Sequence, residues 1–120
     1  MTEYRYTKDD RIIQLNALKT ALSNFIAYLE NSERFKDRIS VYKASLEVTI
    51  NLLENGFEQK QLSELGRNTP DLFHRHKEWI PPLEENDKGK LVEPEWFQEL
   101  ETYLQPVLKT ASVLSIIGYY

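Results

Sequence analysis

The feature that most constrains this chain is the apolar spacing within residues 94–120, PEWFQELETYLQPVLKTASVLSIIGYY. Phe97, Leu100, Leu104, Val107, Ala111 and Leu114 follow one another at intervals of three and four without a break. An α-helix completes a turn in 3.6 residues, so this interval lays one stripe along a helix. Val113, Ile116 and Ile117 add apolar surface beside the stripe, and beyond Pro106 the one charged side chain is Lys109. A helix apolar round most of its circumference has to be covered on several sides. The spacing therefore predicts a helix over about 94–117 at the centre of an all-helical domain, with the earlier helices wrapped on it.

Two earlier segments repeat the pattern. Thr7 stands as an N-cap, with Asp9 and Asp10 in a first turn where the helix dipole favours negative charge. Leu15, Leu18, Leu22, Phe25 and Leu29 form the seam of a helix over 8–30, which Ile12 and Ile26 widen. Asn31 and Ser32 supply a stop and the next cap. A second helix over about 33–55, with Phe35, Ile39, Tyr42, Leu46, Thr49 and Leu53 as its seam, then returns antiparallel. Val41, Val48, Ile50 and Leu52 lie beside that seam, enough for contact with a second neighbour. Asn55-Gly56 ends the helix, since glycine takes positive φ without a Cβ clash, and Phe57 folds back on the last turn.

The next stretch reads as a broken leg of the bundle. Residues 58–65 form two turns with Leu62 and Leu65 inward, stopped by Gly66. Thr69 caps a second short helix over 70–80, with Pro70 at its first position and Leu72, Phe73, His76, Trp79 and Ile80 on one side. Pro81-Pro82 closes it, and 81–93 is a polar surface loop. Pro94 opens the last helix at its first position. Pro106 predicts a kink there or two collinear helices, because proline removes a donor from the ladder. Residues 1–6 form an arm.

Composition bounds the rest. A chain of 120 residues, 41 % hydrophobic and 28 % charged, builds one core, so residues 1–120 are read as a single domain. With no cysteine there is no disulfide scaffold, thiolate nucleophile or cysteine-held metal. No apolar run is long enough to span a membrane or to form a signal peptide, which makes the cytoplasm the expected compartment. The net charge of −4 is placed unevenly: residues 82–120 hold three Lys against seven Glu and Asp, while the rest of the chain balances. An acidic face of this kind argues against nucleic acid as a partner.

No catalytic, metal-binding or cofactor-binding motif stands out. His74 and His76, two apart, point to different faces of a helix and do not chelate one metal together. The cadence of 84–95 falls short of a calcium loop, with Lys88 at a ligand place. The leading expectation is a non-enzymatic bundle acting through protein contact, as a homodimer or a small adaptor or inhibitor, with an interface at Leu114, Ile116, Ile117, Tyr119 and Tyr120. One alternative is a DNA-binding regulator: 58–80 has a helix-turn-helix outline that would bring Asn68, His74, Arg75 and Lys77 to the duplex. Another is a ligand-binding or enzymatic pocket holding His76, Trp79, Trp96 and Tyr103.

Overall fold

A computed structural model describes residues 6–75 and 78–116. The fold is predominantly all-helical, with four α-helices and one very short strand pair among the described residues: α1 (Lys8–Glu30), α2 (Ile39–Asn55), α3 (Gln59–Arg67), β1 (Glu84–Glu85), β2 (Leu91–Val92) and α4 (Glu95–Leu114). Among the described residues no helix is long and apolar enough to cross a membrane.

Helix α1 starts where the capping signal places it. The Thr7 hydroxyl accepts from Asp10 N–H at 3.1 Å and the Asp10 carboxylate accepts from Thr7 N–H at 2.9 Å, closing a reciprocal box. The predicted seam, Leu15 to Leu29, is buried, and Ile26 and Ala21 widen it. Ile12 does not widen the seam as expected. It faces solvent, and the seam continues one step back to Arg11, which is fully buried.

Helix α2 begins six residues later than the heptad spacing predicts. Ser32 Oγ accepts from Arg34 N–H in a local turn. Phe35 then takes φ 61°, ψ 25°, a left-handed conformation that a helix cannot pass through. Its ring lies edge-on to Phe73 at 5.8 Å and 6.1 Å from Trp96, so tertiary aromatic packing sets the conformation. A 3₁₀ turn over Lys36–Arg38 leads into the helix. At the far end Gly56 adopts φ 92°, ψ 169°, a region open almost only to glycine, and Phe57 is buried behind it.

Helix α3 is capped by a Glu58–Gln61 box, with Gln61 Oε1 accepting from Glu58 N–H at 2.8 Å. It runs through Gly66 to Arg67, so Gly66 is not the predicted stop. A Cβ at Gly66 would lie 2.7 Å from Ala111 O and 2.7 Å from Ser115 Oγ, which means the glycine lets α3 approach the backbone of α4. The predicted helix over 70–80 is also absent from the described residues, which form turns. The Thr69 hydroxyl reaches back, donating to Leu65 O at 2.8 Å beside Ser45 Oγ at 3.0 Å, and so does not cap forward. His74, at φ 49°, ends the turn that Asp71 begins.

Residues 81–93 carry a small hairpin, with Glu84 opposite Val92 and Glu85 opposite Leu91. Helix α4 is continuous through Pro106, starts at Glu95 with Pro94 in the capping position, and ends at Leu114 rather than 117. Its whole predicted stripe, Phe97 to Leu114, is buried. It shares the centre with α1, the helix that packs against both α2 and α4, while α3 packs on α4. The helices are thus ordered α2, α1, α4, α3, and the ring barely closes between α3 and α2. The molecule measures 55 × 34 × 19 Å, and its short axis is about two helix diameters.

Candidate interaction surface

The open side of the ring is a groove. Helix α2 turns Tyr42, Ser45, Thr49 and Leu52 inward, and the flank next to these residues stays uncovered. Val41 is 39 % exposed and Val48 45 %. Helix α3 has only nine residues and leans on α4 through Gly66, so it does not reach across to cover that flank. A groove of about 460 Å³ remains, walled on one side by Val41, Ala44, Val48 and Asn51 and on the other by Gln61, Glu64 and Asn68. Ser45, Leu52 and Leu65 also line it. At one end the two walls are tied together, because Ser45 meets Asn68 O and the Thr69 hydroxyl. The lined part of α2 covers about three turns, roughly 16 Å.

One end of the bundle, where α4 begins, is closed by an aromatic clasp. Phe73 and Trp79 pack on Phe97 at 5.3 and 6.0 Å, and Trp96 packs edge-on to Phe97 from the other side at 6.0 Å. Arg75 lies over Trp79 at 4.9 Å. Its guanidinium forks onto Glu101 at 2.6 and 2.7 Å and donates to Asp71 at 2.7 Å. The hydrogen bonds to Glu101, and secondarily those to Asp71, raise the arginine's pKa further. The clasp fastens the turns after α3 to the first half of α4. Its two carboxylates engage four of the five N–H donors of Arg75.

These contacts place the residues named from sequence. Of the expected interface, Leu114 is fully buried inside the bundle and presents no exposed surface. Ile116 is half exposed, and Ile117, Tyr119 and Tyr120 lie outside the described residues. Of the expected pocket, Trp79 and Trp96 flank Phe97 within the clasp. Tyr103 instead stacks on Tyr28 at 4.8 Å, beside a shallow groove lined by Asn24, Ala27 and Asn31, and His76 lies outside the described residues. Burial, followed by nearby Glu99, raises the Tyr28 pKa. The indole N–H of Trp96 is buried without a hydrogen-bond partner, while Arg34 covers the ring at 4.1 Å. Of the expected DNA contacts, Asn68 caps α3, His74 is exposed, Arg75 is held in the clasp, and Lys77 lies outside the described residues. Among the described residues no group of three or more His, Asp or Glu is placed to hold a metal ion.

Sequence reasoning had marked Val41 and Val48 as surface for a second neighbour. It had not marked Ala44, Gln61 or Glu64, whose spacing carries no signal until α3 is placed beside α2. No protein-family model, curated protein or solved structure matches the chain.

Proposed function

We propose that this protein acts through a protein contact, with no chemistry of its own, and that the groove between α2 and α3 receives an amphipathic helix. One observation carries the reading: Val41 and Val48 stay exposed beside a gap that α3 is too short, and too closely seated on α4, to close. Apolar side chains on one helix face seek a second face to cover them. The groove offers valine, alanine and leucine along its length, with Asn51, Gln61, Glu64 and Asn68 on its walls. That is the chemistry of a helix-in-groove contact, with apolar anchors in the trough and polar groups along its sides. The cysteine-free composition goes with a reducing compartment, and the cytoplasm is our expected place of action.

The test is an NMR titration of ¹⁵N-labelled protein with a stapled three-turn helix that carries valine and alanine at the spacing of α2. Shifts confined to Val41, Ala44, Val48, Gln61, Glu64 and Asn68, and lost in Val48→Lys, are the expected result. No shifts at millimolar peptide, or shifts placed elsewhere, would overturn the reading.

A further inference from the structure

We infer that the helix received by the groove is α2 of a second copy, in a twofold dimer whose axis runs parallel to α2. The inference rests on the groove reading above and names its occupant. The first observation is the stripe itself. Val41, Ala44, Val48 and Asn51 are spaced three, four and three apart and all are exposed, so α2 presents a heptad seam to solvent. Two such seams laid in parallel bring Val48 onto Val48 and Asn51 onto Asn51. Val41 and Val48 then stand at the first heptad position, where a β-branched residue is the choice of two-stranded pairings.

The second observation is charge. Glu47 and Glu54 stand seven apart on the flank of α2 that faces away from α3, and Lys60 and Arg67 stand seven apart on the outer face of α3. All four are exposed, and none is ion-paired among the described residues, whereas nearby Lys43 is held by Glu30 at 3.1 Å. Because Asn68 and Thr69 meet Ser45 while Gly56 joins the other ends, α3 runs antiparallel to α2. Lys60 therefore lies level with Glu54, and Arg67 level with Glu47, on opposite sides of the groove. Each pair spans about 10 Å along its helix, the rise of two turns.

A twofold axis along α2 keeps every level and exchanges the sides. It sets the second copy's Lys60 beside Glu54 and its Arg67 beside Glu47, and symmetry repeats both contacts. An axis crossing α2 would stack acid on acid and base on base. The complementary charges thus select a parallel pairing of the α2 helices.

The experiment is light scattering and sedimentation over a concentration series, with folding of each variant checked by circular dichroism. The wild type should dimerise. Glu47→Lys with Glu54→Lys, and separately Lys60→Glu with Arg67→Glu, should each weaken the dimer at least about tenfold, with four contacts turned repulsive. Mixing the two double variants should restore association as a heterodimer. Because the chain has no native cysteine, Val48→Cys should oxidise to one intermolecular disulfide, as a parallel seam requires. A wild type monomeric at millimolar concentration, a dimer indifferent to both reversals, or no rescue on mixing would overturn the inference. A monomer that still binds the stapled helix removes only the second copy as occupant. A monomer that does not bind it removes the groove reading as well.

Discussion

Arg11 shows how a single residue joins three helices. It occupies a seam position of α1 and is fully buried, yet no described carboxylate pairs with it. Its guanidinium donates to Val113 O at 3.0 Å and to Ile116 O, both at the C-terminal end of α4, and to the side-chain oxygens of Gln14 and Gln59. The end of a helix carries partial negative charge on its unpaired carbonyls, and α4 has no basic residue in its last turn. Helix α1 supplies that cation from outside, and Gln59 adds a donor to Leu114 O at 2.9 Å. Arg11→Met keeps the stem and strands the carbonyls, so it should lower stability by about 2 kcal/mol in urea unfolding.

Tyr42, near the start of α2, makes the corresponding link at the other end of the bundle. Its hydroxyl donates to Pro70 O at 2.8 Å and its ring meets Phe25 edge-on at 4.9 Å. Burial, and then nearby Asp71, pushes the phenol well above its usual value of 10.0. The folded state therefore keeps a proton that the unfolded chain loses. The stability this contributes is complete below about pH 10 and falls as pH rises above it, by about 1.4 kcal/mol per unit at most. Tyr42→Phe should cost about 1 kcal/mol at neutral pH and flatten the alkaline decline, as read from denaturant midpoints between pH 8 and 11.

At the scale of elements, the helices differ in how well their signals survive packing. The cap of α1 and the main apolar stripes of α1 and α4 are local, so both starts were legible to within a residue, while Ile12 was misplaced and α4 ends at Leu114, short of the expected 117. The start of α2 was not legible, because Phe35 takes its left-handed conformation against Phe73 and Trp96, which lie 38 and 61 residues away in sequence. Thr69 has the right identity for a cap, but its hydroxyl is taken by Leu65 and Ser45. Gly66 carried the mark of a helix end and turned out to be a point of close approach. Gly66→Ala tests that assignment. Gly66 lies inside α3 without positive φ, so with open space around it alanine would stabilise by up to about 1 kcal/mol. Against the Ala111 carbonyl, the methyl group should instead cost about 1–3 kcal/mol and lower the melting temperature. The candidate site was half legible for a related reason. The apolar flank of α2 could be read from spacing, but no residue pattern announces that no second neighbour covers it among the described residues.

For the whole molecule, the open ring separates stability from association. The core runs through α1 and α4, and Val48 lies outside it. Val48→Lys should leave the monomer's unfolding free energy within about 0.5 kcal/mol of wild type while abolishing self-association, checked by denaturation at a concentration where both are monomeric. Charge pairs on the rims are screened by salt, so the dimer should weaken as sodium chloride rises from 50 to 500 mM. An association resting on the valines alone would not weaken in this way.

The aromatic clasp has a consequence for anyone who follows this protein by its own light. Both tryptophans, Trp79 and Trp96, border the same phenylalanine, and each lies under an arginine. Intrinsic emission is therefore a local gauge of the clasp and is blind to the far end of the bundle, where Arg11 and Gln59 hold α4. If the clasp opens first, the fluorescence transition will run ahead of the loss of helical ellipticity. An apparent intermediate in that comparison would then be one unfastened corner of an otherwise intact molecule.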